Sequence, residues 1–168
     1  MLISIGSNIG NREENIRFAL NRLTAFFRID NMSSIYETEP LDDIHQGWFL
    51  NMVVSGYFEH DPLELLKLVK NIESMMGRTK KTGRGPRVID LDIIIFNDIV
   101  ADTPELTIPH PRMTERKFVL VPIKEINPDF IHPTLNRHID DLIDNCLDKS
   151  IIQKKSRLLL QRKEQKSR

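Results

Sequence analysis

Apolar residues along this chain switch between two spacings, and the switches mark its elements. Leu2 to Ile5 is a short apolar run that ends in Gly6-Ser7-Asn8-Ile9-Gly10, where small residues allow a tight turn, so a strand is expected there. Asn11 followed by Glu14 has the spacing of a capping box, and Ile16, Ala19, Leu20, Leu23, Phe26 and Phe27 share one stripe of a helix. That stripe needs a sheet to cover it. A weakly patterned second strand is expected over about Ser33–Thr38, then a loop from Glu39 to Gly47, then a stronger strand over Phe49–Phe58. In this third strand Leu50, Met52, Val54 and Phe58 share an apolar side. Phe49, Asn51, Val53, Ser55 and Tyr57 form a mixed side on which polar recognition can be built.

Asp61 as N-cap, Pro62 at the first helical position and Glu64 at the third open a second helix. Leu63, Leu66, Val69, Ile72 and Met76 would carry its apolar face, and Gly77 would close it. A fourth strand over Val88–Phe96 completes the order strand, helix, strand, strand, helix, strand. The expected class is α+β, a ferredoxin-like βαββαβ sandwich with an antiparallel sheet and both helices on one face. The other face would be left open for a ligand. Beyond Asp98 the prolines at 104, 109, 111, 122, 128 and 133 predict a C-terminal elaboration of loops and short helices rather than a second core.

At 168 residues, 40% of them hydrophobic and 29% charged, one ordinary core suffices, and no repeat or low-complexity tract appears. The single cysteine, Cys146, offers no internal disulfide and no zinc or iron-sulfur spacing, and reads as a small buried apolar residue. No secretory leader precedes the first strand, and no apolar run approaches a membrane span, so a cytoplasmic protein without membrane attachment is expected. The net charge of zero hides an asymmetry: Lys149 to Arg168 holds eight basic residues and one acidic residue. Ile151, Ile152, Leu158 and Leu159 recur there at helical spacing, so residues 149–168 are expected to be a docked or frayed helical tail on a single domain of residues 1–148.

Chemistry concentrates around the fourth strand. Asp90 and Asp92, two apart, would project from one face while Leu91, Ile93 and Ile95 pack on the other. Paired carboxylates in an apolar strand repel one another and are costly unless arginine or a hard cation such as Mg²⁺ neutralises them. Alone, Asp-x-Asp would read as a structural ion pair. The preceding loop changes that, since Arg78, Lys80, Lys81, Arg84 and Arg87 occupy five of the ten positions from 78 to 87, with no acidic residue among them. With glycines at 77, 83 and 85, the loop can fold over a polyanion, and arginine forks match phosphate oxygens. Carboxylates beside such a loop suggest a bound nucleoside triphosphate and phosphoryl-type transfer. No Walker loop and no protein-kinase signature is present.

The motifs then fall into a known order. Gly6-Ser7-Asn8, Tyr36-Glu37-Thr38-Glu39-Pro40-Leu41, Phe49-Leu50-Asn51, Gly77-Arg78, Gly85-Pro86-Arg87 with Asp90-Leu91-Asp92-Ile93-Ile94, and Pro109-His110-Pro111-Arg112-Met113 with Arg116 and Phe118 follow one another. This series, running from about Met1 to Pro133, resembles the 6-hydroxymethyl-7,8-dihydropterin pyrophosphokinases. The resemblance implies transfer of pyrophosphate from ATP to the pterin hydroxymethyl group, leaving AMP, in folate biosynthesis, with two Mg²⁺ ions bridging the phosphates. It implies Asp90 and Asp92 as metal ligands, and these with Arg78 and Arg87 as the catalytic set. Glu73, Arg78, Lys81, Arg87, Ile93, Thr107, His110 and Arg116 would bind ATP. The pterin would lie between Phe49 and Phe118, read by Asn51, Thr38, Gly6 and the segment Glu39, Pro40 and Leu41. Three features depart from the family pattern: a loop between Gly77 and Gly85 about one residue short, Arg84 where a tryptophan is common, and Phe49 in place of a tyrosine.

Two rival readings remain. An RNA-binding module of the same topology would display aromatics in a Lys/Arg-Gly-Phe/Tyr-type motif, which is absent, so no nucleic-acid partner is expected. An ATP-dependent transferase with another acceptor would not need Phe49, Asn51 and Phe118 to converge. A monomer is expected, and His45, His60, His132 and His138 read as solvated.

Overall fold

The computed structural model describes residues 1–41, 46–77 and 85–158. Arg78, Lys80, Lys81 and Arg84 of the cationic loop, with His45 and Leu159, lie outside the described residues. In chain order the first half forms β1 (Leu2–Ser7), α1 (Arg12–Leu23), β2 (Arg28–Met32), β3 (Tyr36–Thr38), β4 (Phe49–Tyr57) and α2 (Pro62–Met75). The second half forms β5 (Asp90–Ile95), a small pair β6 (Ala101–Asp102) and β7 (Thr107–Ile108), α3 (Lys117–Ile126), α4 (Ile139–Asp144) and β8 (Ile152–Lys154). The main sheet has the order β5-β1-β4-β3-β8, with β2 also paired to β4, and every pairing is antiparallel. This is the split βαβ arrangement that the alternating periods predict.

Both predicted caps form: Asn11 accepts from the Glu14 amide and Asp61 from the Glu64 amide, while Gly77 takes the positive φ of a helix terminator. The expected second strand is in two pieces and begins earlier, at Arg28. Residues 28–32 carry no buried apolar row to announce them, and at the break the Val53 amide donates to the Ser33 hydroxyl instead of a backbone carbonyl. In α2 the buried stripe is Leu65, Val69 and Ile72, while Leu63 is exposed. Leu66 packs only at the margin, because the buried face is centred on the side that Leu65 shares with Val69 and Ile72.

Two apolar clusters flank the sheet. One, between the sheet and helices α1 and α2, contains Ile3, Ile5, Leu20, Leu23, Met52, Val54 and Leu91. The other lies on the opposite face, where Leu2, Val53, Ile94 and Ile95 meet Val119, Leu120 and Ile123 of α3 and Ile139 and Leu142 of α4. The face expected to stand open is therefore half covered, and the proline-rich segment does build a second core. Ile95 joins that second core rather than the first. The register of β5 against β1 skips Ile94, so the bulge turns Ile94 and Ile95 to the same side. Cys146 is buried in this cluster as expected. His132, expected to be solvated, is buried, and its Nδ1 accepts from the Thr134 and Leu135 amides at 3.3 and 3.2 Å.

Over its described part, residues 149–158, the expected terminal helix is corrected too. Residues Ile152–Lys154 are an edge strand on β3, and Leu158 is buried in the first cluster. The outer edge of β3 has backbone groups to satisfy, and an extended tail satisfies them where a helix would not. No helix among the described residues is long and apolar enough to cross a membrane.

Where the start of β2 pairs with β4, Gly56 lets two backbones meet. A Cβ there would lie 2.1 Å from the Arg28 carbonyl oxygen and 2.3 Å from the Phe27 ring. Gly56→Ala is expected to lower stability by about 3 kcal/mol, measured by chemical denaturation.

Candidate active site

Strand register assembles the floor of the site from residues distant in sequence. Gly6 lies opposite Asn51 on one side and Asp90 on the other, and Asn51 lies opposite Tyr36. One row across the sheet is thus Asp90, Gly6, Asn51, Tyr36. The adjoining rows are Asp92, Ser4, Val53 and, on the other flank, Phe49 with Thr38. Directly paired residues point to one face, so both aspartates, Asn51 and Phe49 face the same hollow. Gly6 makes the hollow, because a Cβ at that position would sit 2.5 Å from Asn51 Oδ1. Asn51 is 4% exposed and donates from Nδ2 to Thr38 Oγ1 at 2.7 Å, which fixes the direction of its amide.

Polar side chains beneath the floor hold the approach loops. The Arg87 amide donates to Asn8 Oδ1 at 2.7 Å, and Asn8 Nδ2 donates to Gln46 Oε1 at 3.0 Å and to the Gly47 carbonyl at 3.2 Å. Asn8 of the first turn therefore ties the arginine-bearing loop to the segment before Phe49. Arg12 donates to the Trp48 carbonyl at 2.7 Å and pairs with Glu37 at 2.8 Å.

The walls combine charge with aromatic rings. Arg87 is paired with Asp90 and lies over the Phe49 ring, its guanidinium carbon 5.8 Å from the centroid. Arg116 is paired with Asp92 at 3.3 Å and lies over Phe118 at 5.6 Å. The Arg116 Nε is buried without a hydrogen-bond partner among the described residues. Burial lowers the Arg116 pKa, but an arginine remains charged at any physiological pH. His110 Nδ1 accepts from the Arg112 amide at 3.1 Å, so the hydrogen resides on Nε2, which faces Asp92 at 3.9 Å. Burial lowers the His110 pKa, the neighbouring charges of Arg116 and Arg112 push the same way, and Asp92 opposes them, which leaves a neutral imidazole near pH 7.

Eight residues expected to contact a pterin, namely Gly6, Thr38, Glu39, Pro40, Leu41, Phe49, Asn51 and Phe118, line one cavity together with Arg87, Asp90, Asp92 and Arg116. His110 adjoins it through Asp92. Three members of the expected nucleotide set stand apart. Glu73 is buried behind β5, accepts from the Leu91 amide at 2.7 Å and from Lys70 at 2.9 Å, and has its pKa raised by burial. Ile93 turns its side chain into the first core, and the Thr107 hydroxyl donates to Asp102 at 3.2 Å. Arg78 and Lys81 lie outside the described residues. Ser4, Gln46, Arg112 and Glu115 also line the cavity but were not anticipated. Two of them carried a readable signal: Ser4, a polar residue inside an apolar run, and Arg112, which stands in the motif of residues 109–113.

The aspartates are the candidate metal ligands. Among the described residues no group of three or more His, Cys, Asp or Glu is arranged to hold a metal. Two half-buried carboxylates on one face fit Mg²⁺, which keeps several waters and takes one or two carboxylates plus phosphate oxygens.

Comparison with known proteins agrees with this geometry. Residues 2–128 match the family described as 7,8-dihydro-6-hydroxymethylpterin-pyrophosphokinase. The chain is 47% identical over 126 residues to the 2-amino-4-hydroxy-6-hydroxymethyldihydropteridine pyrophosphokinase of Bacillus subtilis, covering 74% of this chain and 75% of that one. To the enzyme of the same name from Aquifex aeolicus it is 36% identical over 139 residues, covering 83% and 87%. It is also 42% identical over 134 residues to a folic acid synthesis protein of Dictyostelium discoideum, 80% of this chain but only 20% of that longer protein, so it spans about a fifth of that relative. Among solved structures, wild-type HPPK-DHPS of Plasmodium falciparum superposes with a TM-score of 0.68 at 19% identity, over 85% of this chain and 44% of that one, a likeness of fold. By the match over most of its length and by its identity to full-length relatives, this chain belongs to the 7,8-dihydro-6-hydroxymethylpterin-pyrophosphokinase family.

Proposed function

We propose that the chain transfers pyrophosphate from ATP to 6-hydroxymethyl-7,8-dihydropterin, giving the pterin diphosphate and AMP, a step of folate biosynthesis. The observation that carries this reading is the meeting in one cavity of two aromatic walls, a fixed amide and two carboxylates. In this reading a flat bicyclic ring would lie between Phe49 and Phe118, which both line the cavity. Asn51, oriented by Thr38, presents hydrogen-bonding atoms to its edge.

Asp90 and Asp92 would hold the Mg²⁺ ions, whose contribution when bound is to neutralise phosphate charge and align the triphosphate. The pterin hydroxyl oxygen attacks the β-phosphorus in line. A new oxygen–phosphorus bond forms as the bond from that phosphorus to the bridging oxygen of AMP breaks, and the hydroxyl proton passes to solvent water. Arg87 and Arg116, each close to a ring and to a carboxylate, supply charge at the phosphates, and the unpartnered Arg116 Nε is a donor for one of their oxygens. Neutral His110 can donate from Nε2. Arg78 and Lys81 of the cationic loop complete this proposal.

An RNA-binding role receives no support, since α3 and α4 cover much of the sheet face that RNA would need. The deciding experiment supplies ATP, Mg²⁺ and the reduced pterin and scores the nucleotide product. AMP formed only when the pterin is present is expected; ADP, or release independent of the pterin, would refute the proposal.

A further inference from the structure

We propose that the C-terminal segment from Lys149 to Leu158, which lies beyond the family match ending at residue 128, is a positioning element for the aromatic slot, acting through Lys154 and Lys155. The inference rests on reading the cavity as a pterin site.

The segment is attached along the whole strand that feeds the slot. Tyr36, Glu37 and Thr38 pair with Lys154, Gln153 and Ile152. The Ile35 amide donates to the Ser156 carbonyl at 2.7 Å, and the Lys155 amide to the Ile35 carbonyl at 2.9 Å. Past the end of β3 the Glu39 amide donates to the Ile151 carbonyl at 3.0 Å, and the Ile151 amide to Glu39 Oε2 at 3.2 Å. Thr38 and Glu39 both line the cavity. Leu158, 3% exposed, anchors the far end in the first core.

Two adjacent lysines then reach opposite faces of the sheet, and each leads to one aromatic wall. Lys154 donates to Glu125 at 2.9 Å near the end of α3, the helix whose second residue is Phe118. Lys155 pairs with Glu37 at 2.7 Å; Glu37 pairs with Arg12, and Arg12 holds the carbonyl of Trp48, the residue before Phe49. Neither carboxylate needs its lysine for satisfaction. Glu125 already accepts from the Ser34 amide and hydroxyl and from the Tyr36 hydroxyl at 2.8 to 2.9 Å, and Glu37 already has Arg12. Burial alone would raise the Glu125 carboxyl, yet with Lys154 and these hydrogen bonds its pKa sits at about 2. The lysines are partly exposed, 58% and 46%, so as isolated surface pairs they add little to stability. What they add is a connection: α3 carries both Phe118 and Glu125 and is seated on the second core through Val119, Leu120 and Ile123, and the Arg12 contact fixes the strand entry. Both walls are thereby referred to one extended segment.

The test compares the full chain with the double variant Lys154→Glu, Lys155→Glu, and with a chain ending at Asp148, which retains the Asp148 carboxylate that accepts from the Lys117 amide at the start of α3. Pterin and ATP affinities are measured separately by calorimetry, alongside the emission of Trp48, the only tryptophan. Pterin binding is expected to weaken roughly fivefold in the double variant and more in the shortened chain, with ATP binding changed less than about twofold and a shifted Trp48 emission. A double variant that melts like the parent and binds the pterin as well as it does would overturn the proposal, as would equal weakening toward both ligands. If the shortened chain does not fold, the double variant carries the result. If the unaltered chain does not bind the pterin, it is the substrate reading that fails. Trp48 emission then still decides the positioning role, which an unchanged spectrum in the double variant would refute.

Discussion

Asp92→Ala is expected to keep the fold and to lower turnover by about a thousandfold, since positioning and charge neutralisation dominate phosphoryl-type transfer. The fold should survive because the Asp92 carboxylate faces the cavity and anchors no backbone group; its observed partners are Arg116 at 3.3 Å and His110 at 3.9 Å. Removing it leaves Arg116 without that counter-charge, which favours a polyanion. The loss should therefore appear in kcat far more than in the KM for ATP. Thermal melting and steady-state kinetics in Mg²⁺ check both halves. Near-normal turnover would remove Asp92 from the metal site, and a collapse of melting temperature would make the residue structural.

Gly6→Ala should strike the other half of the cavity, raising the KM for the pterin by roughly thirtyfold with a smaller effect on ATP. The added methyl would meet Asn51 Oδ1 at 2.5 Å, and β1 is held between β4 and β5, so its backbone cannot back away. The yielding partner is the Asn51 amide, whose bond to Thr38 then breaks inside a buried site. Kinetics with each substrate varied in turn separate this from general damage. A variant with unchanged pterin KM would show that the Asn51 amide plays no part in recognition.

Much of this was legible in the sequence because it depends on local spacing. Alternation put Phe49 and Asn51 on one side of a strand and Asp90 with Asp92 on one side of another, and the caps at Asn11 and Asp61 announced their helices. What stayed hidden depends on register and on distant partners. The bulge at Ile94 breaks an alternation that Leu91 and Ile93 obey, and nothing in a run of three isoleucines marks it. The tail pattern of Ile151, Ile152 and Leu158 suits a helix, but the unfilled edge of β3 made it a strand. Arg112 and Glu115 reach the cavity from a 3₁₀ turn and its flank, whose direction is set by the packing of Met113 in the second core. Prolines after Asp98 signalled irregular chain correctly, yet the apolar residues between them were enough to build a core.

That second core has a consequence in time as well as in space. The central strands β1 and β4 are covered by apolar layers on both faces over much of their length, and the hollow opens only where the second layer stops short, above Gly6 and Asn51. The floor therefore belongs to the slowest-opening part of the molecule, whose backbone amides would be the last to trade their hydrogens with water. Accommodation of an arriving ligand falls to the rim, Glu39 to Leu41 on one side and Arg112 to Phe118 on the other.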